Sequence, residues 1–596
     1  MSDVHADTVT ALLSARLAAS PEAIACSIQR GDNWIEVTWA AVGQRTAAAR
    51  AQLARLGVKP GTAVAIMAPN HLDWDVVHWA ALQLGARVVG LDMVDRPENL
   101  GAVLAQTSPV LLAVPTTELL LRIGAIPTSM QVVTLAEESP RRTDGGVVEP
   151  LARALGASPA VPVFAVEPTH IATTVFTSGT TGTPKGISYT HRQLCLAVQS
   201  ILEALPETMP GDRVPCWLPQ ANLFQRIINL CGVMRGAHVF YVEKPLELAA
   251  LLPGIAPHLL IGVPRFFEKA WASITETVAR KPAPVRALAR WAMKVGRRAT
   301  SLRRQGLTPN PALRLQFALA DRLVLTSMRR GFGGQLRYLV SGAAPLPVWL
   351  LEAFHGAGLL VLEAYGLSEN VVPVSMNTVS AFRFGTVGRP LAATQVRVGH
   401  DGEVQVKGEG VFVGYEGSTD KAVDADGWLA TGDLGSIDGD GFLTLVGRRS
   451  EVVKTSTGRK VALPAIEAVL RRLPWVELPV VVALGRTVPL AVLYVSAARL
   501  GGGEPESCLR AALEKIRADV QAVCADLASH QRPGGLVLIA RPPNLESGEL
   551  TGNLKVRRST IESRYGEALE ALSARLDAQT RAPEWLDNLQ ALVATA

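Results

Sequence analysis

The sequence predicts a chain of the α/β class built as two or more domains, and three observations carry that expectation. Its 596 residues exceed what one hydrophobic core usually supports. A short apolar strand (Val64-Ala65-Ile66-Met67), a helix from about Asp73 to Leu84 and a second strand (Arg87-Val88-Val89-Gly90-Leu91) follow in the order of a parallel strand–helix–strand unit. A composition of 48% hydrophobic and 19% charged residues is globular, not disordered.

Thr8 to Ala18 has helical apolar spacing, and Ile24 to Ile28 with Trp34 to Thr38 alternates like a hairpin about Arg30-Gly31-Asp32-Asn33. The Ala-rich stretch Trp39 to Leu56 reads as a helix. Residues 138–160, rich in Pro, Gly, Arg and acids, read as an exposed linker inside the first domain. His191 to Leu205 is helical. Cys216 to Arg226 reads as strand and turn running into a helix, and Ala256 to Arg265 as a buried strand ending in a Pro/Arg turn. Leu336 to Val340 is a strand. Gln395 to Lys407 is a hairpin turning at Asp401-Gly402. Leu463 to Leu470 is a helix, Val476 to Val482 with Leu490 to Val495 forms a small sheet, and a Gly-rich loop lies between Arg499 and Glu506. The tail from Arg581 onward reads as helical.

Several functions are excluded or weakened by composition. The formal charge of +6 suits anionic small ligands, and no dense basic run argues for nucleic acid. Six cysteines show no C-x-x-C pair and no metal spacing, so they read as reduced, mostly buried thiols of a cytosolic protein. Met1 to Asp7 has no secretory pattern, and no run of 18 apolar residues occurs. Asp424, Asp426, Asp438 and Asp440 superficially suggest calcium, but their D-G pairs read as turns.

One stretch carries chemistry on its face. Thr177-Ser178-Gly179-Thr180-Thr181-Gly182-Thr183-Pro184-Lys185-Gly186 holds three glycines, five hydroxyls, one lysine and no acid. The apolar run Ile171 to Phe176 enters it and Ile187-Ser188-Tyr189 leaves it, so it reads as strand, loop, strand. Successive backbone N–H groups make an anion nest, and hydroxyls and lysine add donors. The spacing is not that of a Walker A loop. It is that of a polyphosphate cradle, and the ten-residue string resembles the phosphate loop of the AMP-forming adenylate enzymes: acyl-CoA synthetases, luciferases and peptide-synthetase adenylation domains.

Later motifs fit that resemblance. Small residues in Ser341-Gly342-Ala343-Ala344 let a flat ring approach the backbone. Glu363-Ala364-Tyr365-Gly366-Leu367-Ser368-Glu369 puts an aromatic ring, a hydroxyl and a carboxylate at a strand end. Such groups can stack on adenine, bond phosphate and hold the Mg2+ that bridges ATP phosphates. Asp433, in Thr431-Gly432-Asp433, can accept both ribose hydroxyls. The resemblance implies that Ala343, Glu363, Ala364, Tyr365, Gly366 and Ser368 line the nucleotide, that Arg448 reaches it, and that Gly458 belongs to a loop brought towards the pantetheine of CoA. It also implies that Lys555, in Leu550-Thr551-Gly552-Asn553-Leu554-Lys555, neutralises the reacting carboxylate and phosphate. Catalytic roles fall to Lys555, Glu369 and Lys185.

The resemblance runs from about Leu12 to Arg558 and implies a large multi-subdomain N-terminal adenylation domain (1–446) with a small, mobile α+β C-terminal lid (447–596). It implies a ligase that makes acyl-AMP from a carboxylic acid and ATP, then passes the acyl group to CoA. The long-chain fatty acyl-CoA synthetase branch is the nearest, with a fatty acid as substrate. Three departures keep other acids, or an acyl-carrier protein as acceptor, in play: Asn222 where that branch usually has histidine, Ser450 at the hinge, and Gly458 alone where two glycines are usual. A nucleotide-binding pseudoenzyme is the third reading, opposed by the retention of Lys185, Glu369, Asp433, Arg448 and Lys555. Residues 281–335 form an insertion. Within 285–302, Arg286, Arg290, Lys294 and Arg297 recur at near-helical spacing, as on a helix lying on the inner face of a membrane. The apolar face is thin and Gly296 interrupts the pattern, which favours packing on its own domain instead.

Overall fold

The computed structural model describes residues 6–594 apart from 32, 125, 137–147, 153–160, 179–183, 305–307, 419–421, 501–504, 545–546, 551–555 and 579–589. The chain divides into two compact units. The first comprises Met1–Arg397, Gln405–Leu429 and Ile437–Leu443; the second comprises Val398–Val404, Ala430–Ser436 and Thr444–Ala596.

The first unit is built on sheets whose strands run mostly parallel. Its seven-stranded sheet has the order Val148–Pro150, Gln131–Thr134, Leu111–Val114, Ala63–Ile66, Arg87–Gly90, Ile171–Ser178, Pro184–Thr190. Every neighbouring pair is parallel except the last, which is an antiparallel hairpin. The helix Leu72–Gln83 links two of these strands and is buried along its whole length. This explains why its sequence is not amphipathic: no face is given over to solvent, and Asp73, Asp75, His78 and Gln83 are buried along with the apolar residues. Val148–Pro150 forms the edge strand, so part of the stretch 138–160 that reads as a linker is sheet; the remainder, except Leu151 and Ala152, lies outside the described residues.

A second sheet places Leu259–Gly262, Tyr338–Ser341 and Val361–Leu367 in parallel, then turns back through Asn370–Met376 and Arg389–Pro390. A third joins the hairpin Ile24–Arg30 and Asn33–Thr38 to His238–Tyr241 and Arg213–Cys216. Phe267, Trp271 and Phe332 all pack on Phe354 in the core beneath the second sheet.

The insertion is helical. Ala283–Arg304 is one helix; Pro311–Ala320, a π-turn at Asp321–Leu325 and Thr326–Arg330 form the return. Of the apolar face read in 285–302, Ala292, Val295 and Ala299 are buried, Trp291 and Leu302 are half-buried, and Leu288 is exposed. Gly296 is not an interruption. A Cβ there would meet the carbonyl oxygen of Gly356 at 2.0 Å, so the two glycines let this helix cross Val348–Gly356 backbone to backbone. No helix among the described residues is long and apolar enough to cross a membrane.

The second unit holds a four-stranded sheet, Val476–Val482, Leu490–Val495, Gly535–Ile539, Gln590–Ala594, antiparallel at the first pair and parallel thereafter. Both faces are covered. Val481, Leu493 and Leu538 pack against Ile466, Leu470 and Ile516 on one side, while Val480, Val492 and Val537 pack against Ile561, Tyr565 and Leu569 on the other. This is why all six residues of Leu490–Val495 are buried and the strand reads as an unbroken apolar run. The tail corrects the helical expectation: Gln590–Ala594 is a strand, because the Gly535–Ile539 edge offers it a backbone ladder that a lone helix would lack. All six cysteines are free thiols, and all but Cys508 are buried.

Candidate active site

The phosphate-loop stem forms at the carboxyl end of the parallel sheet, where ligands of open α/β sheets bind. Ile171–Ser178 pairs with Pro184–Thr190 in a register that sets Thr177 opposite Lys185 and Ser178 opposite Pro184. The tip, Gly179, Thr180, Thr181 and Gly182, lies outside the described residues.

A third segment organises the stem. Tyr415 pairs with Ile187, Val411 with Asn370, and the Glu416 N–H donates to the Gly186 carbonyl at 2.8 Å. Residues 411–416 thus run between the stem and the turn carrying Ser368 and Glu369. The Tyr415 hydroxyl donates to Glu369 Oε1 at 2.7 Å, and Lys185 Nζ lies 5.1 Å from the centre of the Tyr415 ring. Two groups 184 positions apart are brought to one aromatic side chain. Beneath them, Glu416 accepts from Arg87 Nη1 at 2.7 Å and from the Ser188 hydroxyl, which fastens the stem to the neighbouring strand. Tyr189, from the stem, donates its hydroxyl to the Ser368 carbonyl.

Beside this, one strand ends in small residues next to a strand that continues. Ser341 pairs with Glu363, so Gly342-Ala343-Ala344 leaves the sheet beside Ala364-Tyr365-Gly366, which runs on against Asn370–Met376. Ala343 has φ +74°, a left-handed conformation that costs a non-glycine residue about 1–3 kcal/mol. The Ser341 hydroxyl is buried with no hydrogen-bond partner among the described residues. Tyr365 is buried, while Gly366 and Ser368 are exposed and Glu369 half-buried. The Glu363 carboxylate is buried and accepts from the Leu346 N–H at 3.0 Å, tying the 341–346 loop down. Burial pushes its carboxyl up to about 7, against the pull of the Leu346 and Gly385 amides.

The turn within Cys216 to Arg226 reaches the same shelf. Asn222 starts the helix Leu223–Arg235, and a Cβ at Gly342 would stand 3.5 Å from the Phe224 ring. The turn is anchored from behind. Arg226 Nη1 donates to Thr173 Oγ1 at 2.6 Å, and Asn229 and Tyr241 both donate to Asp75 Oδ2. Burial raises the Asp75 carboxyl to about 6, even with those donors and Arg226 lowering it.

In the second unit, Arg448 Nε sits 2.8 Å from Asp433 Oδ1. Gly432 has φ +73°, which the turn requires, and its N–H donates to Glu403 Oε1 at 2.8 Å. Gly458 has φ +79° in the turn joining Val452–Lys454 to Lys460–Ala462. Lys555 lies outside the described residues, but the chain on either side of 551–555 is held: Leu550 pairs with Val556, and the Arg557 N–H donates to the Glu549 carbonyl at 2.8 Å. Glu549 itself is buried and takes two bonds from Arg541, at 2.8 and 2.6 Å.

Comparison with known proteins is decisive at the level of family. The profile of the AMP-binding enzymes matches residues 13–416. The chain belongs to the AMP-binding enzyme family. It is similar to the long-chain-fatty-acid–CoA ligase FadD15 of Mycobacterium tuberculosis, 30% identical over 563 residues, covering 90% of this chain and 92% of the relative. It is 36% identical over 430 residues to the putative fatty-acid–CoA ligase fadD11 of the same species, covering 69% of this chain and 75% of that one. Among solved structures, the adenylation domain of a carboxylate reductase from Mycobacterium chelonae superposes with a TM-score of 0.74 at 20% identity, over 95% of this chain and 91% of that one. That likeness establishes the α/β fold of a large N-terminal adenylation domain with a smaller C-terminal part.

For this AMP-binding enzyme, the structure brings together Lys185 with Glu369, the Ala343 loop with the Ala364–Ser368 segment, and Asp433 with Arg448. Tyr415, Glu416 and Arg87 escape sequence reasoning. The only local signal is Gly414-Tyr415-Glu416 after an apolar run, and nothing in it names its partners far along the chain. Magnesium is usually held by one or two carboxylates together with substrate phosphates. Glu369, half-buried with one oxygen held by Tyr415, fits that pattern, and no group of three His, Cys, Asp or Glu among the described residues forms a cage by itself.

Proposed function

We propose that the chain activates a medium- or long-chain fatty acid as its adenylate and passes the acyl group to the thiol of CoA. The carboxylate attacks the α-phosphorus of ATP, forming a C–O–P bond as the bond to pyrophosphate breaks; the thiolate then displaces AMP. Such phosphoryl transfer needs chiefly positioning and charge neutralisation. Thr177, Ser178, the loop 179–182 and Lys185 cradle the β- and γ-phosphates. Glu369 holds Mg2+, which neutralises phosphate charge. Tyr365 packs on adenine, the 342–344 and 364–366 segments bound it, and Ser368 bonds phosphate. Asp433 takes the ribose hydroxyls with Arg448 as its partner. Lys555 neutralises the carboxylate and α-phosphate oxygens, and Gly458 serves the thiol half-reaction. The domain division at 446/447, with a lid that turns between the half-reactions, is part of this reading.

The observation that carries it is the convergence of Lys185 and Glu369 on Tyr415 at the phosphate-loop stem, in a chain similar to fatty-acid–CoA ligases along most of its length. A second reading, a shorter or aryl acid or an acyl-carrier protein as acceptor, is favoured by the Phe224 ring against Gly342 and by Asn222. To a membrane surface the 285–302 helix offers its exposed cations Arg286, Arg290, Lys294 and Arg297, with Ala292, Val295 and Ala299 packed away.

Pyrophosphate exchange over a panel of acids tests the first half-reaction, and weighing the product with CoA or carrier protein tests the second. Exchange with long acids and an acyl-CoA product is expected. No exchange with any acid sinks the enzyme reading, and exchange with aryl acids alone sinks the fatty-acid one. Lys555→Ala should cut adenylation far more than thioester formation from supplied acyl-AMP; equal loss in both would remove its assigned role.

A further inference from the structure

The charge of this protein is segregated in a way its modest total conceals. Of its 59 Lys and Arg and 53 Asp and Glu, twelve cations and a single acid fall in 281–330, leaving the rest of the chain net negative by five. The one acid, Asp321, is spent on an ion pair with Arg329 at 2.6 Å. The basic side chains come singly or in adjacent pairs (Arg297-Arg298, Arg303-Arg304, Arg329-Arg330), so no long run betrays them; folding gathers them on one helical excursion.

The return helix of that excursion is apolar on two faces. Leu313, Ala320 and Leu325 pack inward on Ala283–Arg304. Leu315, Leu319 and Leu323, spaced four apart, stand outward at 74%, 49% and 51% exposure. Exposed Arg314, Arg322 and Arg330 flank the stripe. A helix with leucines outward and arginines beside them meets the two demands of an anionic bilayer surface, apolar insertion and headgroup charge. A protein partner is the weaker fit: three leucines in a line fall well short of the roughly 800 Å² per partner of a standard interface, and the stripe is a ridge with no groove to give shape complementarity.

We propose that the Leu315–Leu319–Leu323 ridge, with Arg314, Arg322 and Arg330, docks this protein on an anionic lipid bilayer. The docking face is thus the return helix, not the apolar face of 285–302, which is buried at Ala292, Val295 and Ala299 and leaves only the flanking Val285 and Leu288 exposed. Docking is read with neither ATP nor acid present, so it stands or falls apart from acyl activation.

The experiment is co-sedimentation of the full chain with vesicles of phosphatidylcholine mixed with phosphatidylglycerol, and with pure phosphatidylcholine, at low and high salt. The wild type should bind the mixed vesicles, bind pure phosphatidylcholine weakly, and lose binding as salt rises. Leu315→Ser/Leu319→Ser/Leu323→Ser should bind about tenfold more weakly or worse. Arg314→Gln/Arg322→Gln/Arg330→Gln should lose the preference for phosphatidylglycerol. Both variants alter exposed side chains only, and each should keep the wild-type circular dichroism and pyrophosphate exchange with a water-soluble acid. Equal binding by the wild type and the leucine variant overturns the proposal. So does failure of the wild type to bind either vesicle, and leucine-dependent self-association in that case would reassign the ridge to a second copy.

Discussion

Tyr415→Phe removes one oxygen atom from the point where the phosphate-loop lysine and the Glu369 carboxylate meet. The lost interaction is a hydroxyl donating to a carboxylate at 2.7 Å. Hydrogen bonds to charged groups contribute about 1.5–3 kcal/mol net, and the half-buried position of Glu369 puts this one near the lower end. About 1.4 kcal/mol is a factor of ten in rate, so kcat/KM for adenylation should fall roughly tenfold. The ring under Lys185 survives in this variant. Tyr415→Ala removes it as well, and an exposed cation–π contact of about 0.5–1 kcal/mol adds a further loss of a few fold. Pyrophosphate exchange at varied magnesium separates the causes. If Tyr415 orients Glu369 for the metal, Tyr415→Phe should raise the magnesium needed for half-maximal exchange, while Lys185→Met should not. The reasoning fails if Tyr415→Phe keeps wild-type exchange, or if its activity falls with an unchanged magnesium dependence.

Three further outcomes follow from buried groups and a close crossing. Glu363 has a folded pKa of about 7, above its unfolded value near 4.5, so the folded state holds the proton more tightly. Stability on its account is greatest below pH 4.5 and lost as pH rises to 7. Glu363→Gln should therefore melt higher than the wild type at pH 8, by on the order of 3 kcal/mol, with the gap closing by pH 4.5 in scanning calorimetry. Glu549 behaves oppositely: burial pushes its carboxyl up, but the Arg541 bonds outweigh this and hold it at about 2. Arg541→Met leaves that carboxylate to the longer contacts of Arg564 at 3.5 Å and the Asn544 amide at 3.3 Å, and should cost about 1.5–3 kcal/mol at pH 7, in chemical denaturation, and less as pH falls from 4.5 towards 2. Gly296→Ala sets a methyl against the Gly356 carbonyl and should lower stability by about 1–3 kcal/mol, read as a drop in melting temperature.

Much of the architecture was legible because local physics dominated it. The crossover at 64–91, the hairpin at 24–38 and the helix Leu463–Leu470 follow from periodicity and turn residues. The phosphate-loop stem follows from a β-branched run ending in glycines. The tail was misread at Gln590–Ala594 because five residues carry too little periodic signal, and a parallel edge strand is decided by its distant partner; 581–589 lie outside the described residues. Gly296 was misread for a related reason: a glycine inside a helical pattern looks like a defect until the opposing backbone is known.

The family, the phosphate loop and the chemical groups at hand are legible along the chain, since these depend on residue types at short, fixed spacings. Which of those groups meet is set by folding. Lys185 and Glu369 share Tyr415, Asp433 holds Arg448, and Glu363 reaches back to the Leu346 amide. Folding also decides that scattered arginines and three leucines form one exposed face. Such pairings are set by loop closure across tens to hundreds of residues, which no local periodicity encodes.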